Sequence, residues 1–211
     1  MFKKIIQFFS SKKVAEQKLS RWVFGTMLGA GILALLASFT LTVEKFHLYA
    51  NPDAVLSCSF NLVLNCSTVM QTWQSSLFGF PNMIIGLMAF SVVVTVAVIG
   101  LAGIKLPKWF LISAQVGYLL GLVFAYWLFF QSLYSIQVLC PWCLVVTATT
   151  TLIFSSLLHY NLKHNVFGLP KKYDQKVQAF LNNGFHQLVV AGWLVLMIAL
   201  VFIKFGDALF A

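Results

Sequence analysis

Charge is scarce in this chain. Of its 211 residues only 9% are charged, and only 5 are acidic. A soluble domain carries about 25% charged residues. Water cannot solvate a surface this poor in charge, so the composition excludes a soluble globular domain and implies an integral membrane protein. Cysteine is scarce too, at four residues. A secreted disulfide scaffold is implausible in a chain that is 60% hydrophobic. The four histidines, His47, His159, His164 and His186, fall outside any spacing that would complete a zinc site with the cysteines, and no metal is expected. The net charge of +9 does not point to nucleic acid, because the basic residues lie in segments between apolar runs, where positive charge sets orientation in a membrane.

Residues 1–21 hold Lys3, Lys4, Lys12, Lys13, Lys18 and Arg21 against a single acid, Glu16. They read as a basic cytoplasmic tail or, with Ile5, Ile6, Phe8 and Phe9, as a short amphipathic helix on anionic lipid. Uncharged runs follow at 22–43, 82–104, 109–130, 140–160 and 187–203. Each is long enough to cross the roughly 30 Å hydrocarbon core as a helix. The first run is longer than a signal-peptide core of about 7–15 residues, so it reads as a retained span. The expected fold is all-α, with five transmembrane helices. Four of them form a bundle, residues 22–160, and one more lies in 186–211 with a short tail.

Between the runs lie segment 44–81, a tight turn with Lys105, Pro107 and Lys108, the uncharged loop 131–139 and the basic loop 161–185. Twelve of the 14 Lys/Arg fall on the side of the tail, the 105–108 turn and the 161–185 loop; only Lys45 and Lys204 fall opposite. The excess of positive charge places the N-terminus in the cytoplasm of a cell's plasma membrane. It places 44–81 and 131–139 outside. All four cysteines, Cys58, Cys66, Cys140 and Cys143, then sit on the outside face, although topology was read from Lys and Arg alone.

Cys140-Pro141-Trp142-Cys143 opens the fourth span. Two cysteines three apart share one helix face. The unsatisfied N–H groups and the dipole of a helix N-terminus favour a thiolate, which is the nucleophile of disulfide exchange. Pro141 suits the first turn, where its missing N–H costs nothing. Three blander readings stand beside redox activity. Cysteine is often a buried, inert residue. Cys58 and Cys66 are a possible structural loop disulfide. All four are a possible zinc site, although a pair eight residues apart fits zinc poorly.

The pattern resembles the vitamin K epoxide reductase family in its bacterial, disulfide-forming branch. Three parts carry the resemblance: the spaced pair Cys58 and Cys66 in the first outside segment, the stretch from Ser75 through Pro81-Asn82 to Phe90, and Cys140-Pro-Trp-Cys143 opening a later helix. Quinone-linked oxidases of the DsbB type also use four outside cysteines, but place Cys-x-x-Cys first. The order here is the reverse.

The resemblance implies a quinone-dependent thiol oxidase. Cys143 faces a quinone of the menaquinone or ubiquinone type, Cys140 exchanges with the loop pair through Cys66, and Cys58 meets an outside DsbA-like thioredoxin-fold protein. Asn82 stands where the family has an asparagine near the quinone carbonyl; it also suits the N-cap of the second helix. Thr72 stands where the family commonly has a serine that assists quinone reduction. Thr147 replaces the tyrosine of animal members. Many relatives carry a fused thioredoxin-like domain; only residues 204–211 follow the last run, so a separate partner chain is expected. Two alternatives remain: a non-catalytic membrane protein with structural or metal-binding cysteines, and electron flow in reverse, from quinol to outside proteins.

Overall fold

The computed structural model describes residues 2–209. Helix α1 (Phe2–Ala50) is followed by the short α2 (Cys66–Gln71) and a single 3-10 turn, then α3 (Asn82–Leu101), α4 (Lys108–Phe130), α5 (Pro141–Lys163), α6 (Lys171–Asn182) and α7 (Phe185–Leu209). No strand forms among the described residues; the one β-type contact is an isolated bridge between Leu64 and Leu139. Five helical stretches are long and apolar enough to cross a membrane: Glu16–Ala50, Asn82–Leu101, Lys108–Ile136, Pro141–Lys163 and Phe185–Gly206. The protein is an all-α, multi-pass membrane protein, as the composition requires.

Helix α1 is the spine of the bundle. Its buried residues recur at alternating steps of four and three: Val23, Met27, Ala30, Ala34, Ala37, Leu41, Glu44 and Leu48. That spacing keeps one seam facing inward. The alanines in its centre let neighbouring backbones come close, the usual solution in lipid, where helices associate by packing rather than by exclusion of water. Against the seam lie Phe90, Val93, Val96 and Ala97 of α3 and Ile153 and Leu157 of α5. The seam carries the helix past the end of the uncharged run. Glu44 and Lys45 are therefore helical and buried, where hydropathy alone would end the first span at Val43.

Glycine sets the distance between α1 and α3. A Cβ on Gly100 would collide with the ring of Phe24, and one on Gly86 would lie 2.5 Å from Ser38 Oγ. Phe24 is itself buried and cannot swing away. Gly100→Ala is expected to destabilise the bundle by roughly 1–3 kcal/mol through overpacking. The check is the thermal-unfolding midpoint in detergent. Gly29→Ala on the exposed face of α1, with nothing within 4 Å of its Cβ, should leave the midpoint unchanged.

The remaining helices complete the frame around one end of the bundle. Helix α5 buries an unusual number of hydroxyls for a membrane span, and most of them return a proton to their own helix. Thr147 donates to Cys143 O (2.9 Å), Thr150 to Val146 O (2.7 Å), Thr151 to Thr147 O (2.9 Å) and Ser155 to Thr151 O (2.7 Å). This removes most of the cost of burying them. Helix α7 is peripheral and is held by Trp193 Nε1 donating to Tyr126 OH at 2.6 Å. Helix α6 lies within the basic 161–185 segment; Gln178 on it donates to the carbonyls of Leu162 and Lys163 at the end of α5. At the other end of the bundle, α4 runs on as a π-helical turn, Gln131–Ile136, and stops at Gln137, whose φ of 57° is left-handed. The turn delivers the chain to Leu139 and Cys140.

Candidate active site

All four cysteines meet at this end. Leu139 N donates to Val63 O (2.7 Å), and Asn65 N donates to Leu139 O (2.9 Å). The bridge places the residues just before Cys66 and Cys140 side by side. Asn65 also caps α2: its Oδ1 accepts from Thr68 N at 3.2 Å and from Ser59 Oγ at 2.9 Å, the role asparagine favours at a helix start. Cys66 is thus the first residue of α2, and Cys140 the N-cap of α5, with Pro141 in the first turn.

Cys58 and Cys66 form a disulfide, with Cα atoms 5.7 Å apart. Cys140 and Cys143 are free thiols. Cys66 Sγ lies 3.2 Å from Cys140 Sγ. Since Cys66 has no proton, the thiol of Cys140 is the donor in that contact. Cys140 stands one residue before its span, and its pKa is lowered from the ordinary thiol value. The hydrogen bond from the Cys143 side chain is the main cause; the backbone N–H groups of Cys143 and Trp142 add to it, and burial opposes it. A thiolate is favoured at the sulfur that touches the disulfide.

Three of the four are buried. Cys66 and Cys140 are sealed, Cys143 is half-buried, and Cys58 is only 2% exposed. A depression that touches Cys58 is also lined by Ser57, Phe60, Pro141, Trp142 and Val145. Cys140 and Cys143 line a second cavity, of about 200 Å³, that runs into the bundle between α1, α3, α4 and α5. Its walls are mostly apolar, with Leu41, Phe90, Val93, Phe124 and Leu128 among them.

Thr72 and Asn82 both line this cavity, but their polar atoms serve the fold first. Thr72 is the C-cap of α2, and its hydroxyl donates to Val69 O at 2.7 Å. Asn82 is not the N-cap of α3; Pro81 is. Asn82 instead folds back over segment 74–77, donating from Nδ2 to Gln74 O (2.6 Å) and accepting from Leu77 N at Oδ1 (3.2 Å). The second N–H of its amide remains. Thr147 lines the cavity one turn below Cys143. Among the described residues no group of three or more His, Cys, Asp or Glu is placed to hold a metal.

Two charged residues belong to the site that the sequence reading left without a role. The carboxylate of Glu44 accepts from the hydroxyl of Ser57 and, at 3.3 Å, from its backbone N–H. Ser57 immediately precedes Cys58. The ammonium of Lys45 donates to Met70 O at 2.6 Å, near the end of the helix that Cys66 begins. Neighbouring residues on α1 thus grip the two arms of the cysteine loop. The available signal was a Glu-Lys pair placed where the inward-facing spacing of α1 continues.

Residues 26–158 match the model of the vitamin K epoxide reductase family. The chain belongs to this family. The match covers more than half of the chain and contains all four cysteines, Thr72 and Asn82. A search of the curated proteins finds no match. Membership makes the protein a membrane redox enzyme, an oxidoreductase, and the matched region contains the disulfide between Cys58 and Cys66. The vitamin K epoxide reductase fold is an all-α membrane fold, which agrees with the five spans.

Proposed function

We propose that this vitamin K epoxide reductase family member is a quinone-dependent thiol oxidase that makes disulfides in an extracytoplasmic, DsbA-like thioredoxin-fold protein. The observation that carries the reading is the 3.2 Å contact between Cys66 Sγ and Cys140 Sγ, with Cys143 next to it on the wall of an apolar cavity. Disulfide exchange requires one sulfur to reach another through a mixed disulfide, and these two are already within reach.

The steps balance as follows. A thiolate of the partner attacks Cys58 of the Cys58–Cys66 disulfide, and Cys66 leaves as a thiolate. The partner's second thiol attacks the partner sulfur of that mixed bond, which frees Cys58 and closes the partner's disulfide. Cys66 then attacks Cys140 of an oxidised Cys140–Cys143 pair, and Cys143 leaves. Cys58 attacks Cys66, restores the loop disulfide and frees Cys140. Cys140 and Cys143 both line the cavity, so the reduced pair stands at its wall. A quinone of the menaquinone or ubiquinone type, when bound, accepts the two electrons and two protons that the pair gives up.

The residues present fit such a molecule. The cavity is apolar, opens beside the reactive thiols and offers polar atoms only at Thr72, Gln74, Asn82 and a few hydroxyls. The distribution of Lys and Arg puts the cysteine end outside the cytoplasm, in reach of a partner that folds there. Because Cys58 is covered, the segment carrying Ser57 and Phe60 has to open for the partner; Phe60 is 71% exposed.

The test is turnover. Purified protein with a soluble quinone and a reduced DsbA-type partner should oxidise the partner and reduce the quinone one for one. Cys143→Ala should abolish quinone reduction. Four thiols that never cycle, with every quinone and partner tried, would remove the oxidase reading and leave the cysteines a structural role.

A further inference from the structure

In the wall of the cavity that Cys140 and Cys143 also line, Gln74 has a buried amide oxygen that the protein leaves without a partner. Its side chain is 5% exposed and lines the cavity, and Oε1 accepts no hydrogen bond among the described residues. Thr72 and Asn82, which line the same wall, are already bonded to backbone. Buried polar atoms are hydrogen-bonded in the great majority of cases, and one that is not calls for an explanation.

The position shares its cavity with the thiols. Gln74 O accepts from Asn82 Nδ2 at 2.6 Å, and Gln74 Nε2 approaches Gln131 Oε1 at 3.4 Å. Gln131 begins the π turn that leads to Cys140. The side chain therefore sits between the start of α3 and the approach to the reactive thiols, at the cysteine end of the cavity. Its fold partner is a single long contact, so the amide is not needed to hold the bundle together.

We propose that Gln74 is the residue that binds the oxygen of the quinone, resting on the oxidase reading above. A primary amide suits a ligand whose oxygen changes character during the reaction. As placed, Gln74 Nε2 donates to Gln131 and Oε1 is left without a partner; a small turn of the side chain toward the cavity it lines lets Oε1 accept from a quinol hydroxyl. If both amides turn over, Gln131 donates to Gln74 Oε1, and Gln74 presents Nε2, which donates to a quinone carbonyl. An amide has both faces, and the Gln74–Gln131 pair lets either one point into the cavity without leaving a donor facing a donor. Neither Thr72 nor Asn82 has this freedom, because their bonds to backbone fix their orientation.

The experiment is steady-state quinone reduction with menadione as the probe, in wild type, Gln74→Met and Gln74→Asn. Methionine keeps the bulk and removes both polar atoms. Asparagine keeps the amide but withdraws it by one methylene. Loss of one neutral hydrogen bond is expected to raise the KM for menadione roughly 3- to 10-fold in both variants. The rate at which the loop disulfide exchanges with Cys140, measured without quinone, should stay at the wild-type value. So should the unfolding midpoint of the ligand-free protein, while the upward shift of that midpoint by menadione should shrink.

An unchanged KM and an unchanged menadione shift in a folded variant would overturn the assignment of Gln74 while leaving the oxidase intact. A wild-type protein that neither reduces nor binds menadione or a ubiquinone analogue would remove the oxidase reading, and this assignment with it. If Gln74→Met does not fold, Gln74→Asn decides by the same readings.

Discussion

Cys143→Ser is expected to accumulate a covalent Cys66–Cys140 bond with Cys58 left as a free thiol. The 3.2 Å sulfur contact makes Cys140 the thiol that attacks the loop disulfide, and Cys58 is then the leaving group. This attack is the reverse of the step that restores the loop disulfide. In the wild type the bond has two exits, Cys58 on Cys66 and Cys143 on Cys140; serine closes the second, so the mixed disulfide is drawn off only by return of Cys58 and builds up. Differential alkylation followed by mass spectrometry would read it directly, and turnover with quinone should fall roughly a thousand-fold or more, as for other residues that act as one unit.

The pH dependence of trapping has a definite sign. The attacking species is the Cys140 thiolate, and its pKa is lowered, chiefly by the hydrogen bond from Cys143. The reactive form is therefore present at pH values where a free cysteine, with a pKa of about 8.5, is still protonated. It is lost only as pH falls through the lowered value. Serine at 143 keeps a hydroxyl that can donate in place of the thiol. Cys143→Ala removes that donor, so its trapping rate should begin to fall at a higher pH than that of Cys143→Ser. Identical pH profiles for the two variants would mean that the hydrogen bond does not tune Cys140.

The second large effect concerns the grip of α1 on the loop. Glu44→Ala should slow exchange between the loop and Cys140 by roughly ten-fold or more, because two hydrogen bonds to a carboxylate disappear and each is worth about 1.5–3 kcal/mol. Both go to Ser57, so the arm before Cys58 loses its anchor to the spine. The amide of Ser57 should then exchange its hydrogen faster. Lys45→Met should cost less. Met70 O, which loses the ammonium, keeps a second donor in Ser75 Oγ at 2.6 Å, and the methionine stem still covers α2. Glu44→Gln should recover most of the activity, since the amide oxygen can still accept from Ser57. If Glu44→Ala and Lys45→Met behave alike, the grip is not organised as two separate arms.

The order of these effects shows what each level of description can see. The five spans are readable from the chain because crossing a membrane is a summed, local property: each run either supplies enough apolar residues or does not. The grouping of the cysteines is readable for a similar reason, since their order along the chain and the side they fall on depend only on counting spans. The first span shows where this local sum stops working. Hydropathy ends at Val43, but α1 continues to Ala50, because burial is set by which face of the helix meets α3 and α5. Glu44 falls on that face and has Ser57 to bond with. A charged residue whose partner lies 13 positions away in sequence reads, without the fold, as the start of a loop.

Allocation of hydrogen bonds has the same limit. Thr72 and Asn82 are polar residues that line the cavity. Only the tertiary structure decides that the Thr72 hydroxyl closes α2, that Asn82 ties down segment 74–77, and that Gln74 is the side chain left with an unpartnered buried oxygen. A polar group takes its partner from whatever the packing brings within about 3 Å. The sequence by itself determined an all-α membrane protein with two cysteine pairs at one end. The tertiary structure decided which sulfur touches which, through a two-bond backbone bridge between Leu64 and Leu139 that no residue type announces.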